Sequence, residues 1–133
     1  MEVSAAIITN DNGELLICRR GPGGNCACLW EFPGGKRESG ESLRQCLVRE
    51  CLEELSVDIA VLELFEETFH SYPGGSIKIT FFNARIISGQ PQALVHSEIK
   101  WVRPDALSNL DFCPGDQPVV ALLAAKAAAR KRI

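Results

Sequence analysis

The run from Gly35 to Val57, GKRESGESLRQCLVRECLEELSV, constrains this chain more than any other part of it. Ser42 followed three residues later by Gln45 is a capping-box signature, so a helix is expected from about Leu43 to Leu55. A Gly-rich turn is expected just ahead of it. Leu47, Val48, Cys51, Leu52 and Leu55 supply an apolar face. Away from most of that face stand Glu50, Glu53 and Glu54, with Arg49 beside them. At 3.6 residues per turn the three glutamates fall within an arc of roughly 100°. Like charges so placed repel one another, so the cluster weakens the helix unless a cation joins it. A hard divalent ion with oxygen ligands is the natural candidate. A solvated acidic face accounts for one carboxylate, but poorly for a cluster set at fixed spacing behind Pro33-Gly34-Gly35.

The flanking segments supply a sheet for that helix to cover. Val3 to Thr9 and Glu14 to Arg19 read as strands joined by the hairpin signal Asn10-Asp11-Asn12-Gly13. Gly21 to Asn25 is a loop by composition, and Leu29 to Phe32 is a short strand candidate. Val57 to Tyr72 and Ser76 to Ile87 form a long strand pair around Pro73-Gly74-Gly75, closed off by Ser88-Gly89-Gln90-Pro91. Glu98 to Val102 is a further short strand, and Pro104 to Leu107 a helical turn. The Ala-rich segment from about Asp116 to Arg130 reads as a helix capped by Asp116 or Gly115, with Pro118 tolerated in its first turn. Arg130, Lys131 and Arg132 suit its C-terminal dipole. No repeat or linker interrupts residues 1–133, which are read as one α/β (α+β) domain with a sheet covered by helices.

Composition removes several classes of function. A formal net charge of −3 speaks against broad capture of DNA or RNA. Met1-Glu2-Val3-Ser4 lacks the basic start and apolar run of a secretory signal. The longest apolar run, Val119 to Ala125, is too short to span a bilayer. No membrane partner and a cytoplasmic location are therefore expected. With 46% apolar residues there is material for a core without disulfides, so the six cysteines are read as reduced thiols. Cys26-Ala27-Cys28 does not have zinc-ribbon spacing, and only His70 and His96 could add imidazole. Cys46 and Cys51 are expected to pack as small hydrophobes.

Spacing carries the reading further. Gly35 is followed after five residues by Glu41, and seven more lead to Arg49-Glu50-Cys51-Leu52-Glu53-Glu54-Leu55-Ser56-Val57. This resembles the Nudix box, G-x5-E-x7-R-E-U-x-E-E-x-G-U, where U is a bulky apolar residue. Every charged position is present; Ser56 replaces the last glycine and Cys51 is a small occupant of one apolar slot. Cys18-Arg19-Arg20, Trp30-Glu31-Phe32-Pro33-Gly34-Gly35-Lys36 and Asp111 to Val119 look like the MutT-like branch, which includes 8-oxo-dGTP diphosphatases and CTP pyrophosphohydrolases. The resemblance implies a Nudix-type α/β/α sandwich with a mixed β-sheet. It also implies Mg²⁺, with Mn²⁺ a second ion that fits, held by Glu50, Glu53, Glu54 and the Gly34 carbonyl. Arg49 would organise the carboxylates through its planar fork, and Glu41 would steady the loop.

The reaction implied is substitution at phosphorus by water, in a nucleoside triphosphate such as an oxidised or otherwise modified (d)NTP, giving the monophosphate and pyrophosphate. Glu53 and Glu54 are candidates to accept the proton. Glu98 is a third, because many relatives carry a catalytic glutamate in this region, although Val95 competes for the slot. Arg20 and Lys36 look like phosphate binders, with ordinary surface cations the other reading, and Phe32 and Tyr72 could sandwich a base or, as aromatics at strand ends, simply pack in the core. Asp116 stands where bacterial 8-oxo-dGTP diphosphatases carry asparagine. If ionised it only accepts hydrogen bonds, and it could serve a guanine or a cytosine; its other role is the helix cap. Two alternatives remain open at this stage. One is hydrolysis of another nucleoside diphosphate derivative such as ADP-ribose, and the other is a non-catalytic nucleotide-binding module. Neither the preferred base nor the choice between monomer and homodimer follows from the sequence.

Overall fold

The structure, a computed structural model, describes residues 1–131, so the expectation for Arg132 lies outside the described residues. Alternation of side chains along the central strands makes the architecture. Strand β1 (Glu2–Ile8) sends Ala5 and Ile7 to one side and Ala6 and Ile8 to the other, and all four are buried. Strand β2 (Leu15–Arg19) does the same, with Leu15 and Ile17 against Leu16 and Cys18. Strands buried on both faces need a cover on each. Helix α1 (Leu43–Leu55) covers one face with Leu47, Cys51 and Leu55; α2 (Gln117–Lys131) covers the other with Val119 and Val120. The expected mixed-sheet α/β/α sandwich is what forms.

The larger sheet runs β4-β1-β6-β5, where β4 is Gly34–Lys36, β5 is Asp58–Tyr72 and β6 is Gly75–Ser88. β1 lies parallel to β6 and antiparallel to β4. The smaller sheet runs β3-β2-β7, with β3 at Trp30–Glu31 and β7 at Glu98–Val102. β1 and β2 are joined by the expected hairpin, closed by the Asn10 amide on the Glu14 carbonyl at 3.0 Å, with Gly13 at φ +77°.

Three local expectations are corrected. The Gly-rich segment before α1 is a strand rather than a turn. Glycine lets it lie against β1 so closely that a Cβ on Gly34 would sit 2.0 Å from the Ser4 carbonyl oxygen. Leu52 does not belong to the buried face of α1: it is 56% exposed, because Leu47, Cys51 and Leu55 already complete the inward stripe at steps of four. Asp116 stands directly before α2, as expected, but its side chain goes to the Phe32 amide instead of the helix. It ends a short 3₁₀ turn (Pro114–Asp116), and its side chain is directed into the molecule. Lys131 pairs with Asp105 as well as sitting in the last turn of α2. Among the described residues no helix is long and apolar enough to cross a membrane.

Ser56 explains how the motif tolerates losing its glycine. It ends α1 at φ +59°, ψ +35°, and its amide reaches the Leu52 carbonyl at 3.1 Å. A non-glycine residue in this left-handed conformation costs about 1–2 kcal/mol. Ser56→Gly is therefore expected to raise thermal stability by up to about 1 kcal/mol, since glycine's greater freedom when unfolded offsets part of the gain. Differential scanning calorimetry reads the shift.

Candidate active site

The capping box expected at Ser42 forms: its hydroxyl takes the Gln45 amide at 3.0 Å and the Gln45 side chain takes the Ser42 amide at 2.8 Å. This fixes where α1 begins, and so which residues reach the loop and β4. Arg49 is the hub. Its Nε and Nη2 grip both oxygens of Glu41 at 3.0 and 2.7 Å, and Nη1 reaches Glu50 at 2.9 Å and Glu53 at 3.3 Å. Nη2 also donates to the Lys36 carbonyl at 3.1 Å, tying β4 to the helix. Held by the Arg49 guanidinium and the Glu38 amide, the Glu41 carboxyl is pulled down to about 2, and Arg49 is correspondingly raised, chiefly by Glu41. Glu41 thus steadies the loop.

The three helix glutamates have different surroundings. Glu53 is open, with its side chain 60% exposed and turned to Arg49; Glu50 is only 16% exposed. Glu54 lies deeper. One of its oxygens, Oε1, is buried without a partner. Burial first, then Glu50 and Glu31, push Glu54 up to about 7, while His96 opposes the rise. Among the described residues no three acidic, imidazole or thiol side chains converge as a ready metal cage. Glu50 and Glu54 are the sheltered members of the three, and Glu53 is the exposed one.

That geometry fits a hard divalent cation. The donors are oxygens, one of them an orphaned buried carboxylate oxygen that a cation would satisfy. The space is also kept open by glycine: a Cβ on Gly35 would lie 2.4 Å from the Glu50 carboxyl carbon and 2.5 and 2.7 Å from its oxygens. Gly35→Ala is expected to leave the fold standing, because a flexible carboxylate can swing aside, while displacing Glu50 and removing most divalent affinity. Isothermal titration with Mn²⁺, beside a thermal melt, separates the two effects.

The remaining candidates are more dispersed. Arg20 sits at the end of β2, its Nη1 on Glu31 at 3.2 Å and its Nε on the Asn25 carbonyl at 3.0 Å. Lys36 is exposed at the end of β4. Phe32 is core: it is 3% exposed, with Phe81 edge-on at 6.1 Å and Phe112 at 5.5 Å, so its ring offers no open face to a base. Tyr72 stands exposed at the far tip of the β5–β6 hairpin opposite Gly75, well along β6 from the Phe81 that Phe32 touches. Glu98 opens β7 opposite Arg19 and is exposed, and Val95 is exposed too.

Asp116 differs most from its sequence reading. It is 5% exposed, and its Oδ2 accepts the Phe32 amide at 2.9 Å from 84 positions away. Thr68 holds the turn to β5 by donating to the Gly115 carbonyl at 2.9 Å. Burial pushes the Asp116 carboxyl up to about 8, with Glu31 adding to the rise. Burial thus favours the protonated acid, which donates as well as accepts.

Two residues of the site were missed as functional. Glu31 bridges Arg20 and His96, the latter at 2.9 Å, and His96 is buried between Glu31 and the Glu54 side of α1. The Leu94 amide on the Glu54 carbonyl at 3.2 Å, and the Gln92 amide on Leu55 at 2.9 Å, bring this segment to the end of α1. His96 was legible only as one of two histidines, and Glu31 only as a letter within WEFPGGK.

A mixed sheet between two helices, with the Glu50 carboxyl seated against Gly35 where α1 meets β4, is the Nudix hydrolase fold. The chain belongs to the NUDIX domain family, whose model matches residues 4–122, and within it to the MutT-like pyrophosphohydrolases. It is 33% identical over 123 residues to the 8-oxo-dGTP diphosphatase of Escherichia coli K12, covering 92% of this chain and 95% of that one. To the CTP pyrophosphohydrolase of the same organism it is 36% identical over 130 residues, covering 98% and 96%. The solution structure of the E. coli ORF135 protein superposes with a TM-score of 0.82 at 36% identity, over 97% of this chain and 91% of that one.

Proposed function

We propose that residues 1–133 act as one domain hydrolysing a nucleoside triphosphate to the monophosphate and pyrophosphate, with an oxidised or otherwise modified (d)NTP such as 8-oxo-dGTP as substrate. The observation that carries this reading is the seat against Gly35 of the Glu50 carboxyl, on the same helix as Glu54, one of whose oxygens is buried without a partner. Glu50, Glu53, Glu54 and the Gly34 carbonyl are the residues that would hold Mg²⁺ or Mn²⁺. Such an ion, when bound, neutralises polyphosphate charge and acidifies water. Arg49 orients Glu50 and Glu53, and Glu53 or Glu54 accepts the water proton, with Glu98 the more remote candidate. Arg20 and Lys36 carry the charge to meet phosphate oxygens.

At Asp116 the buried acid offers an acceptor and a donor together. That suits an 8-oxoguanine edge, and equally a cytosine edge with its amino donor and ring-nitrogen acceptor, consistent with what both E. coli relatives are named for. Reduced cysteines suit the cytoplasmic setting of such a substrate.

The test is pyrophosphate release with Mg²⁺ across 8-oxo-dGTP, dGTP, dCTP, 5-methyl-dCTP and ADP-ribose. Turnover of a modified triphosphate above the others supports the proposal. Preference for ADP-ribose would replace it with the diphosphate-derivative reading. Tight binding without turnover of any member would make the chain a binding module.

A further inference from the structure

Strand pairing puts Glu31 on the face of the smaller sheet that α1 covers. Glu31 lies opposite Cys18 in the β2–β3 register, and directly opposite residues share a face. Cys18 packs with Leu47, Cys51 and Leu55 of α1, whereas Trp30, one residue back, packs toward α2. Both Glu31 oxygens have partners. Oε1 accepts from Arg20 Nη1 at 3.2 Å, and Oε2 lies 2.9 Å from His96 Nε2. A carboxylate paired with arginine only accepts, so Nε2 is the ring nitrogen that carries the hydrogen.

His96 is anchored from both sides. Two residues before it, the Leu94 amide is tied to the Glu54 carbonyl at 3.2 Å. One residue after it, the Ser97 amide and hydroxyl both reach the Arg19 carbonyl, at 3.0 and 3.2 Å. The ring is 3% exposed, and its Nδ1 is buried without a partner. An unpaired buried nitrogen weakens a fold, so stability does not account for an imidazole here. What the ring supplies is a donor to Glu31.

Arg20 is the solvent end of the chain, with its side chain 41% exposed. Its Nε donates to the Asn25 carbonyl at 3.0 Å and its Nη1 to Glu31, whereas Nη2 has no partner among the described residues. Arginine and a carboxylate left to themselves favour a two-pronged pair. With Nε on Asn25, that pair would take Nη1 and Nη2 together. His96 holds Oε2 and leaves only Oε1 for Arg20.

We propose that His96 is a positioning residue for phosphate binding: by holding Oε2 of Glu31 it keeps the Glu31–Arg20 pair single-pronged, so that Glu31 orients the guanidinium while Nη2 stays free for an oxygen of the substrate's polyphosphate. This rests on the nucleoside triphosphate reading, in which Arg20 meets phosphate. Without the His96 donor, Oε2 turns to Nη2, and the carboxylate takes the place of the phosphate and neutralises the charge offered to it.

The test is kinetics with Mg²⁺ and the nucleotide that the wild type turns over fastest, beside titration with inorganic tripolyphosphate in Mg²⁺ and a thermal melt. His96→Leu should raise KM by about ten- to a hundredfold, the loss of one charge-assisted hydrogen bond. Turnover at saturation should change little, as for a contact equally strong in ground and transition states. His96→Gln, whose amide still donates to Glu31, should bring KM back toward the wild-type value. In a Glu31→Gln background, adding His96→Leu should raise KM no further, because His96 acts only through residue 31. A purely structural histidine would give additive losses, in kcat and the melt as much as in KM, with no rescue by glutamine. An unchanged KM in folded His96→Leu, or a further rise in the double variant, overturns the proposal. If His96→Leu does not fold, Glu31→Asp decides: too short to span both partners, it should raise KM with the melt little moved, and an unchanged KM overturns the proposal. A wild type that turns over no nucleotide fails the hydrolase reading alone, and the same variants are then compared by tripolyphosphate affinity; a wild type that binds no tripolyphosphate overturns the positioning role as well.

Discussion

Glu54→Gln is expected to lower turnover by about two to four orders of magnitude, the range associated with removing a positioned proton-transfer group, while leaving the cation-free protein as stable as before or more so. The two effects have one origin. Without a cation, Glu54 is a carboxyl driven up to about 7 by burial beside Glu50 and Glu31, with one oxygen unpartnered. Because its folded pKa lies above the unfolded value of 4.5, the folded state holds the extra proton between those limits. Its contribution to stability is full below about 4.5 and is lost as pH rises through 7. Glutamine stays neutral, so the variant escapes that loss. Kinetics with Mg²⁺ and melts in EDTA at pH 5 and pH 8 check both halves. Glu53→Gln is the comparison: it should also lower turnover more than stability, and because it keeps the buried Glu54 its melt should follow pH as the wild type's does. Marked unfolding of either variant would make these side chains structural.

The parts of the fold that were legible in the sequence are those written in local chemistry. The Ser42–Gln45 box set the start of α1, the Asn10–Gly13 signal set the β1–β2 hairpin, and Pro73-Gly74-Gly75 turned β5 into β6. Alternation in β1 and β2 is present too, although both faces being apolar makes such strands read as continuous runs. What escaped depends on distant partners. Glycines at 34 and 35 look like a turn until β1 is available to pair with them. Leu52 looks like core until the inward stripe is filled by its neighbours. At the site, the cluster on α1 was visible because its members share one helix. The Arg20–Glu31–His96 chain was not, because it joins the end of β2, β3 and the segment before β7. Phe32 settles on one of its two readings: an aromatic at a strand end could stack on a base or pack in the core, and the ring is core while its amide binds Asp116.

Asp116→Asn is expected to leave nucleotide binding near pH 7 almost unchanged and to abolish its decline at higher pH. The proposed base contact needs a donor. Asp116 has one only while protonated, and burial keeps it so up to about 8. Its Oδ2 is committed to the Phe32 amide at 2.9 Å, which an asparagine carbonyl oxygen serves equally, leaving the amide NH₂ where the acid proton was. The folded pKa again lies above the unfolded one, here 3.8, so the aspartate's stabilising share is complete below about 4 and disappears as pH climbs through 8. Wild type should therefore show KM rising and thermal stability falling together between pH 7 and 9, and Asp116→Asn should flatten both curves. Asp116→Ala removes acceptor and donor alike and strands the buried Phe32 amide. A loss of about 1–3 kcal/mol for an unsatisfied group corresponds to a rise in KM of about one to two orders of magnitude, with the melt shifted in parallel. Identical pH profiles for wild type and Asp116→Asn would show that the carboxyl is ionised throughout, and the donor would then have to be sought at another residue.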